Sequence, residues 1–237
     1  TRKWELPRAP SPRDRRIDTM TSEMGGPGSK GGTGESGSAT APVLSLRERR
    51  QLRTRTDLVE AVLRVIGESG LAETSIDRIS AASGISRGTV YAHFPGGRDE
   101  LLRAAYAKLG RDLVARTQAA VSVAEGWREQ IDAHARSMFD LAADPRIGHF
   151  YNVSGPALIV SGEERGIGSG ASAIMIREAL ETAQSLGEVD ADVDADAVAA
   201  LLVGALREAA TGVSAGERDA ERSYAAFARL TSGLARA

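Results

Sequence analysis

Three groups of side chains have types and spacings that invite a chemical reading. Ser86, Arg87, Gly88, Thr89, Tyr91 and His93 follow one another closely, with Arg98 a short step beyond. A guanidinium can bond a guanine edge bidentately, and hydroxyl, phenol and imidazole groups can bond phosphate oxygens, so this set suits a nucleic-acid surface. Asp190, Asp192, Asp194 and Asp196 alternate as in a calcium loop, but Ala195 stands where that loop needs glycine and Leu201 where it needs a bidentate glutamate. They read better as a polar linker with Asp194 or Asp196 at the start of a helix. Gly166 to Ala171 (GIGSGA) has the spacing of a dinucleotide fingerprint. Ser161 to Arg165 separates it from the apolar Ala157–Val160, however, and no repeated strand–helix units accompany it. A loop between helices is the expectation there. His93, His134 and His149 share no metal-ligand spacing, and the absence of cysteine removes thiolate sites, disulfides and cysteine nucleophiles. No catalytic residue, metal or cofactor is assigned.

The elements that must carry the first group are short helices. Leu58, Ala61, Val62, Val65 and Ile66 recur at the spacing of one helical face, and Gly70 ends that helix. Arg47, Arg49, Arg50, Arg53 and Arg55 crowd its start, where cations oppose the helix dipole and an external anion would relieve them. Thr74 is the expected cap of the next helix, with Asp77 reaching back and Ile76, Ile79 and Ala82 on its inner face. Gly84 permits a sharp end, Ile85 plugs the turn, and Ser86 caps a further helix. On that helix Val90 and Phe94 share the inner face, which turns Arg87, Thr89 and Tyr91 outward. Pro95-Gly96-Gly97 then breaks the chain before a helix with Leu101, Leu102, Ala105 and Leu109 on its apolar face. Two short helices joined by a tight turn can seat the second in a major groove about 12 Å wide.

The rest of the sequence reads as helices near 111–123, 127–143, 171–186, 194–211 and 219–235, with no period-two alternation. Ala and Leu dominate the apolar content and aromatics are only 4%, which favours helix over sheet. The expected fold is all-α: a disordered N-terminal extension over 1–45, a helix-turn-helix unit over 46–96, and a helical bundle over 97–237. Charge is unevenly spread. Residues 46–110 hold 11 basic and 8 acidic side chains, whereas 111–237 hold 12 and 19, so a polyanion would meet the front of the chain. The apolar run Ala197–Leu206 is about half a membrane span, and no apolar N-terminal segment reads as a signal peptide, so a cytoplasmic protein with no membrane partner is expected.

The stretch Thr74–Phe94 (TSIDRISAASGISRGTVYAHF) closely resembles the signature of the TetR/AcrR (tetracycline-repressor-like) family, in Thr74, Ile79-Ser80, Gly84-Ile85-Ser86, Tyr91, His93 and Phe94. The family has a lysine three residues past the phenylalanine; here Arg98 stands four past it. The resemblance covers residues 47–109 and implies a DNA-binding transcriptional regulator, a repressor released from its operator by a small molecule. It implies base reading by Arg87 and Thr89, phosphate contacts from Thr74, Tyr91, His93 and Arg98, close approach at Gly88 beside Ser86, and added charge from Arg49 and Arg53. The expected partners are a palindromic double-stranded DNA operator and a second copy of the chain. The paired helices 171–186 and 194–211 would form the dimer, through Ile174, Leu180 and Ala183 with Val198, Leu201, Leu202, Ala205 and Leu206. An effector pocket is expected among Trp127, His134, Met138, Phe150, Tyr151 and Met175, whose chemistry favours an apolar ligand. The alternative is a ligand-binding protein or small helical enzyme with a vestigial DNA-binding unit, against which the intact Gly84, Ser86, Tyr91 and Phe94 argue.

Overall fold

The computed structural model describes residues 45–158 and 167–236; the N-terminal extension expected over 1–45 lies outside the described residues except for Ser45. Regular structure among the described residues is helical. The order is α1 (Leu46–Ser69), α2 (Ile76–Ser83), α3 (Arg87–His93), α4 (Gly97–Val121), α5 (Trp127–Ala142) and the one-turn α6 (Ile147–His149). A wide π turn (Phe150–Ser154) and a 3₁₀ turn (Gly155–Leu158) continue α6. The chain then forms α7 (Ile167–Ser185), α8 (Ala195–Ser214) and α9 (Ala220–Ser232).

The helical stripe read from the sequence in α1 is the face that packs: Leu58, Ala61, Val62, Val65 and Ile66 are all buried. They meet Ile79 of α2, Val90 of α3, Phe94, and Leu101, Leu102, Ala105 and Leu109 of α4 in one apolar cluster. Each fully buried Leu or Ile there contributes about 1.5–3 kcal/mol relative to exposure. The start of α1 is not left to its arginines. Ser45 and Glu48 form a capping box, with the Glu48 carboxylate accepting from the Ser45 N–H at 2.7 Å. That N–H holds Glu48 below the usual carboxylate range. The S-x-x-E signal was present in the sequence beneath the more conspicuous arginines.

Two glycines lie inside helices and pack against one tyrosine. Gly110 lies inside a continuous α4 that joins the helices expected on either side of it, and Gly168 inside an α7 that starts at Ile167, so the described part of the loop expected over 166–171 is helical. A Cβ would come within 3.4 Å of the Tyr151 hydroxyl at Gly110 and 3.1 Å at Gly168. The approach is tight at Gly168 and ordinary contact at Gly110, and each glycine carries a helix-propensity cost of about 1 kcal/mol.

The second apolar cluster joins α5, α7, α8 and α9. Tyr224 of α9 donates to Asp132 of α5 while Arg136 lies over its ring at 3.5 Å, pinning the last helix down. Asp194 caps α8 by accepting from the Ala197 N–H at 3.0 Å, and Asp190 pairs with Arg236 at 3.2 Å, tying the α7–α8 connection to the chain beyond α9. The expected dimer stripe divides: Leu180, Ala183, Leu202 and Leu206 are buried in this cluster, while Ile174, Leu201 and Ala205 stay exposed.

Trp127 and His134, seven residues apart on α5, face the same core. The His134 Nε2 is buried with no hydrogen-bond partner among the described residues, and burial pulls the imidazole down to about 4. Protonation therefore favours the unfolded chain. The contribution is intact above about pH 6.5 and is lost as the pH falls toward 4, amounting to at most about 3 kcal/mol. Chemical denaturation at intervals from pH 7.5 to 4.5 is expected to give falling stability in the native protein and a visibly flatter profile in His134→Leu.

Candidate nucleic-acid interface

The α2–turn–α3 unit is built from local hydrogen bonds. Ser75 caps α2, accepting from the Arg78 N–H at 3.3 Å, and Gly84 ends it at φ +70°, a left-handed conformation that favours glycine. Ser80 Oγ donates to the Ile85 carbonyl at 2.6 Å across the turn, and Ser83 Oγ accepts from the Ile85 N–H at 3.2 Å. The serines at 80 and 83 thus tie the turn shut. Ser86 caps α3, with its hydroxyl 2.9 Å from that of Thr89. At the far end, Pro95 pushes the residue before it out of the helical region; Phe94 sits at φ −136°, its ring fully buried.

Arginine-to-carbonyl clamps hold this unit against its neighbours. Arg55 of α1 donates to the His93 carbonyl, lies 4.0 Å over the Phe94 ring and faces Glu100 at 3.7 Å. Arg64 of α1 donates to the Ala82 carbonyl at 2.8 Å, satisfying the end of α2. Arg98 reaches back from α4 to the Thr74 carbonyl at 2.5 Å and the Leu71 carbonyl at 2.9 Å. The composition of the arginine cluster was visible in the sequence. Which members turn inward was not, because their carbonyl partners lie up to 38 residues away.

With α3 fixed by Val90 and Phe94, its opposite face exposes Arg87, Gly88, Tyr91 and Ala92, with Thr89 and His93 half-buried. Arg87 pairs with Asp77 of α2 at 2.8 Å, both side chains exposed, so the guanidinium is held forward by an ion pair that a stronger anion can displace. Tyr91 packs its ring edge over Gly97, where a Cβ would come within 3.3 Å, and Gly97 adopts φ +61°. Arg49 and Arg53, with Arg47 and Arg50, are exposed on the first turns of α1. Two expectations need correction. Thr74 is neither the cap of α2 nor at the surface: it is buried, its hydroxyl donating to the Gly70 carbonyl at 3.0 Å, because Ser75 takes the capping position. Arg98, expected at phosphate, is instead engaged by the Thr74 and Leu71 carbonyls of the α1–α2 connection.

A cavity of about 460 Å³ opens between α4, α5, α7, α8 and the turns after α6. Met138 and Tyr151 line it, as expected. Trp127, His134 and Phe150 are buried in the two apolar clusters or beside them, and Met175 is half-buried away from the lining. The residues missed by sequence reasoning include Tyr106, Asn152, Ser172, Arg207 and Thr211. They come from four separate elements, and no local pattern marks them.

Comparison with known proteins places these features in context. Residues 58–105 match the family model for bacterial regulatory proteins of the tetR family, and residues 128–235 match that for the tetracyclin repressor-like C-terminal domain. The HTH-type transcriptional regulator BetI of Burkholderia ambifaria is 35% identical over 100 residues, 42% of this chain and 49% of that relative. The match thus spans about half the length of that curated protein. A TetR-family transcriptional regulator from Pectobacterium atrosepticum is similar in structure with a TM-score of 0.65 at 25% identity, covering 80% of this chain and 97% of that one. The fatty acid degradation regulator FadR from Bacillus halodurans shares the fold, with a TM-score of 0.61 at 18% identity over 75% of this chain and 93% of that one.

The clamp and the outward arginines should separate in a denaturation experiment. Arg98→Ala leaves two loop carbonyls without their donor and is expected to lower stability by about 1–3 kcal/mol. Arg49→Ala and Arg53→Ala, at exposed positions, should stay within about 0.5 kcal/mol of the native protein.

Proposed function

Since the chain belongs to the tetR family of bacterial regulatory proteins, we propose that it is a sequence-reading DNA-binding repressor that grips a palindromic operator as a homodimer and releases it when a small molecule fills the cavity. The observation that carries this reading is the outward face of α3. It presents Arg87, Gly88, Thr89 and Tyr91 on a short helix whose other face is locked by Val90 and Phe94. Arg87 and Thr89 read base edges; Ser86, Tyr91 and His93 fix the helix to phosphates; Arg49 and Arg53 neutralise backbone charge. Residues 46–96 form the reading unit and 97–237 the sensing and dimerising unit, with α4 beginning the second while packing into the first. The protein works in the cytoplasm, where its operator lies, and no catalytic step is assigned to it.

A two-fold partner follows from the small number of bases that one α3 can reach. Exposed Ile174, Leu201 and Ala205 on α7 and α8 supply its apolar face, and Leu230 on α9 extends it. Release follows from the segment after α5. Tyr151 and Asn152 line the cavity, while Arg146, a few residues earlier, donates to the Gly67 carbonyl at 2.7 Å and to the Glu68 carbonyl at the end of α1. A ligand that moves this segment moves α1 and the clamps on α3 with it. Ligand and DNA then favour different arrangements of one element, the requirement for linkage between two sites.

The test is duplex selection from a random pool at fixed near-physiological salt, followed by titrations on the recovered sequence. An inverted repeat is expected, bound at a hydrodynamic mass twice the 24.9 kDa chain. Arg87→Ala should weaken binding by roughly 1–3 kcal/mol and relax preference at one position per half-site, whereas Arg49→Ala should weaken all sequences alike and lower the salt slope by about one. Failure to enrich any sequence with a folded, dimeric protein would remove the reading.

A further inference from the structure

We infer that the cavity selects a planar organic anion, an aromatic carboxylate whose ring lies along the stacked Tyr106–Tyr151 pair and whose charge is met by Arg207. The biological meaning of this inference rests on the release reading above; the binding itself does not.

At about 460 Å³ the space is far larger than a packing defect and falls in the range of small-molecule sites. Its charge is one-sided. Among the described residues that line it, Arg207 is the one charged side chain, and no carboxylate is present. Arg207, exposed at the cavity wall, makes no ion pair among the described residues; Arg177, Arg218 and Arg236 of the same acidic region do. What sets Arg207 apart from other arginines there without an ion pair, Arg222 and Arg229 among them, is that it borders this cavity. An arginine at a cavity wall without a counter-ion, in a segment with 12 basic and 19 acidic side chains, is a receptor for an anion that comes from outside the chain. A cation would meet the Arg207 charge and find no carboxylate among the described lining residues, leaving only the weaker offset of the tyrosine faces.

The ring wall is equally specific. Tyr106 and Tyr151 stack at 5.0 Å with planes 21° apart, and Gly110 and Gly168 leave the room that the Tyr151 hydroxyl needs. Burial drives the Tyr151 phenol upward, reinforced by Tyr106 and opposed by Arg207, so the hydroxyl keeps its proton and remains a donor. No hydrogen bond among the described residues takes up that proton. Leu113, Val114, Met138 and Val203 line the same space and supply apolar contact for a ring. The lining thus combines an aromatic face, a protonated phenol and a planar guanidinium that matches the fork of a carboxylate. The sequence alone favoured an apolar ligand because Arg207, one arginine among many, gives no sign that it borders a cavity.

Three probes with the same ring separate the possibilities: 2-naphthoate, 2-naphthamide and 2-naphthamidine, which carry negative, zero and positive charge. Isothermal titration of the full chain without DNA should show naphthoate binding at least about tenfold more tightly than the amide, the scale of one charge-assisted contact, with the amidine weakest. Arg207→Gln should bring naphthoate to within about threefold of the amide, and Arg207→Lys should keep much of the preference. Equal binding of all three, a preference for the amidine, no naphthoate binding up to about 1 mM, or an unchanged preference in Arg207→Gln each overturns the inference. These results do not depend on DNA: loss of the anion preference leaves duplex selection untouched, and a protein that selects no duplex can still be titrated.

Discussion

Everything in this structure depends on α4 being one unbroken helix. Its first turns carry Leu101, Leu102, Ala105 and Leu109 into the cluster that supports α3, while Tyr106, Gly110, Leu113 and Thr117 face the cavity. A 25-residue helix cannot shift at one end and stay fixed at the other without bending, and nothing in α4 supplies a proline or a π bulge to bend it. The core beneath the helix-turn-helix and the cavity wall are therefore mechanically joined. The segment after α5 doubles the link. Tyr106 meets Phe150 edge-on at 6.3 Å and Tyr151 face-on at 5.0 Å, so one aromatic ladder runs from the core beneath the helix-turn-helix to the cavity wall. Gly155 permits it, since a Cβ there would lie 2.6 Å from the Tyr106 ring.

The arginines of the N-terminal unit divide the labour that the sequence presented as one basic cluster. Arg55, Arg64 and Arg98 are engaged within the chain, each donating to a main-chain carbonyl at a helix end or in a loop; the Arg55 and Arg98 bonds are part-buried, where an unpaired acceptor would cost about 1–3 kcal/mol, and the Arg64 bond is exposed. Arg49, Arg53 and Arg87 are turned outward. Position relative to the Leu58–Ile66 stripe does not separate the two sets in α1, since Arg64 and Arg53 both lie on the side away from it. The stripe sets which face is inner, but the distance to a partner carbonyl on another helix is not contained in any local window.

That contrast describes what was legible. Helix type, the α2–turn–α3 unit and the buried faces of α1 and α3 follow from 3.6-residue periodicity and from turn chemistry, which are local. Gly84, Ser86 and Pro95 act as they read. The misreadings all involve a local signal overridden by tertiary contact: the stretch with Gly168 read as a loop and is helix packed on Tyr151, the helices expected either side of residue 110 are one, Thr74 looked like a cap and is buried one residue before the real one, and Arg98, expected at phosphate, is a clamp. The cavity was least legible, because its lining converges from residues as far apart as Tyr106 and Thr211. Residue scarcity identified Met138 and Tyr151 but also drew in Trp127, His134 and Phe150, which are core.

The central claim is that α3 reads the major groove, once from each protomer of a symmetric pair. Methylation interference on the selected duplex tests it directly, because one reagent marks guanine N7 in the major groove and adenine N3 in the minor groove. The account predicts interference at guanine N7 in two symmetry-related positions about one helical turn apart, with the signal weakened at both in Arg87→Ala. Interference confined to adenine N3, or at a single unpaired position, would contradict it.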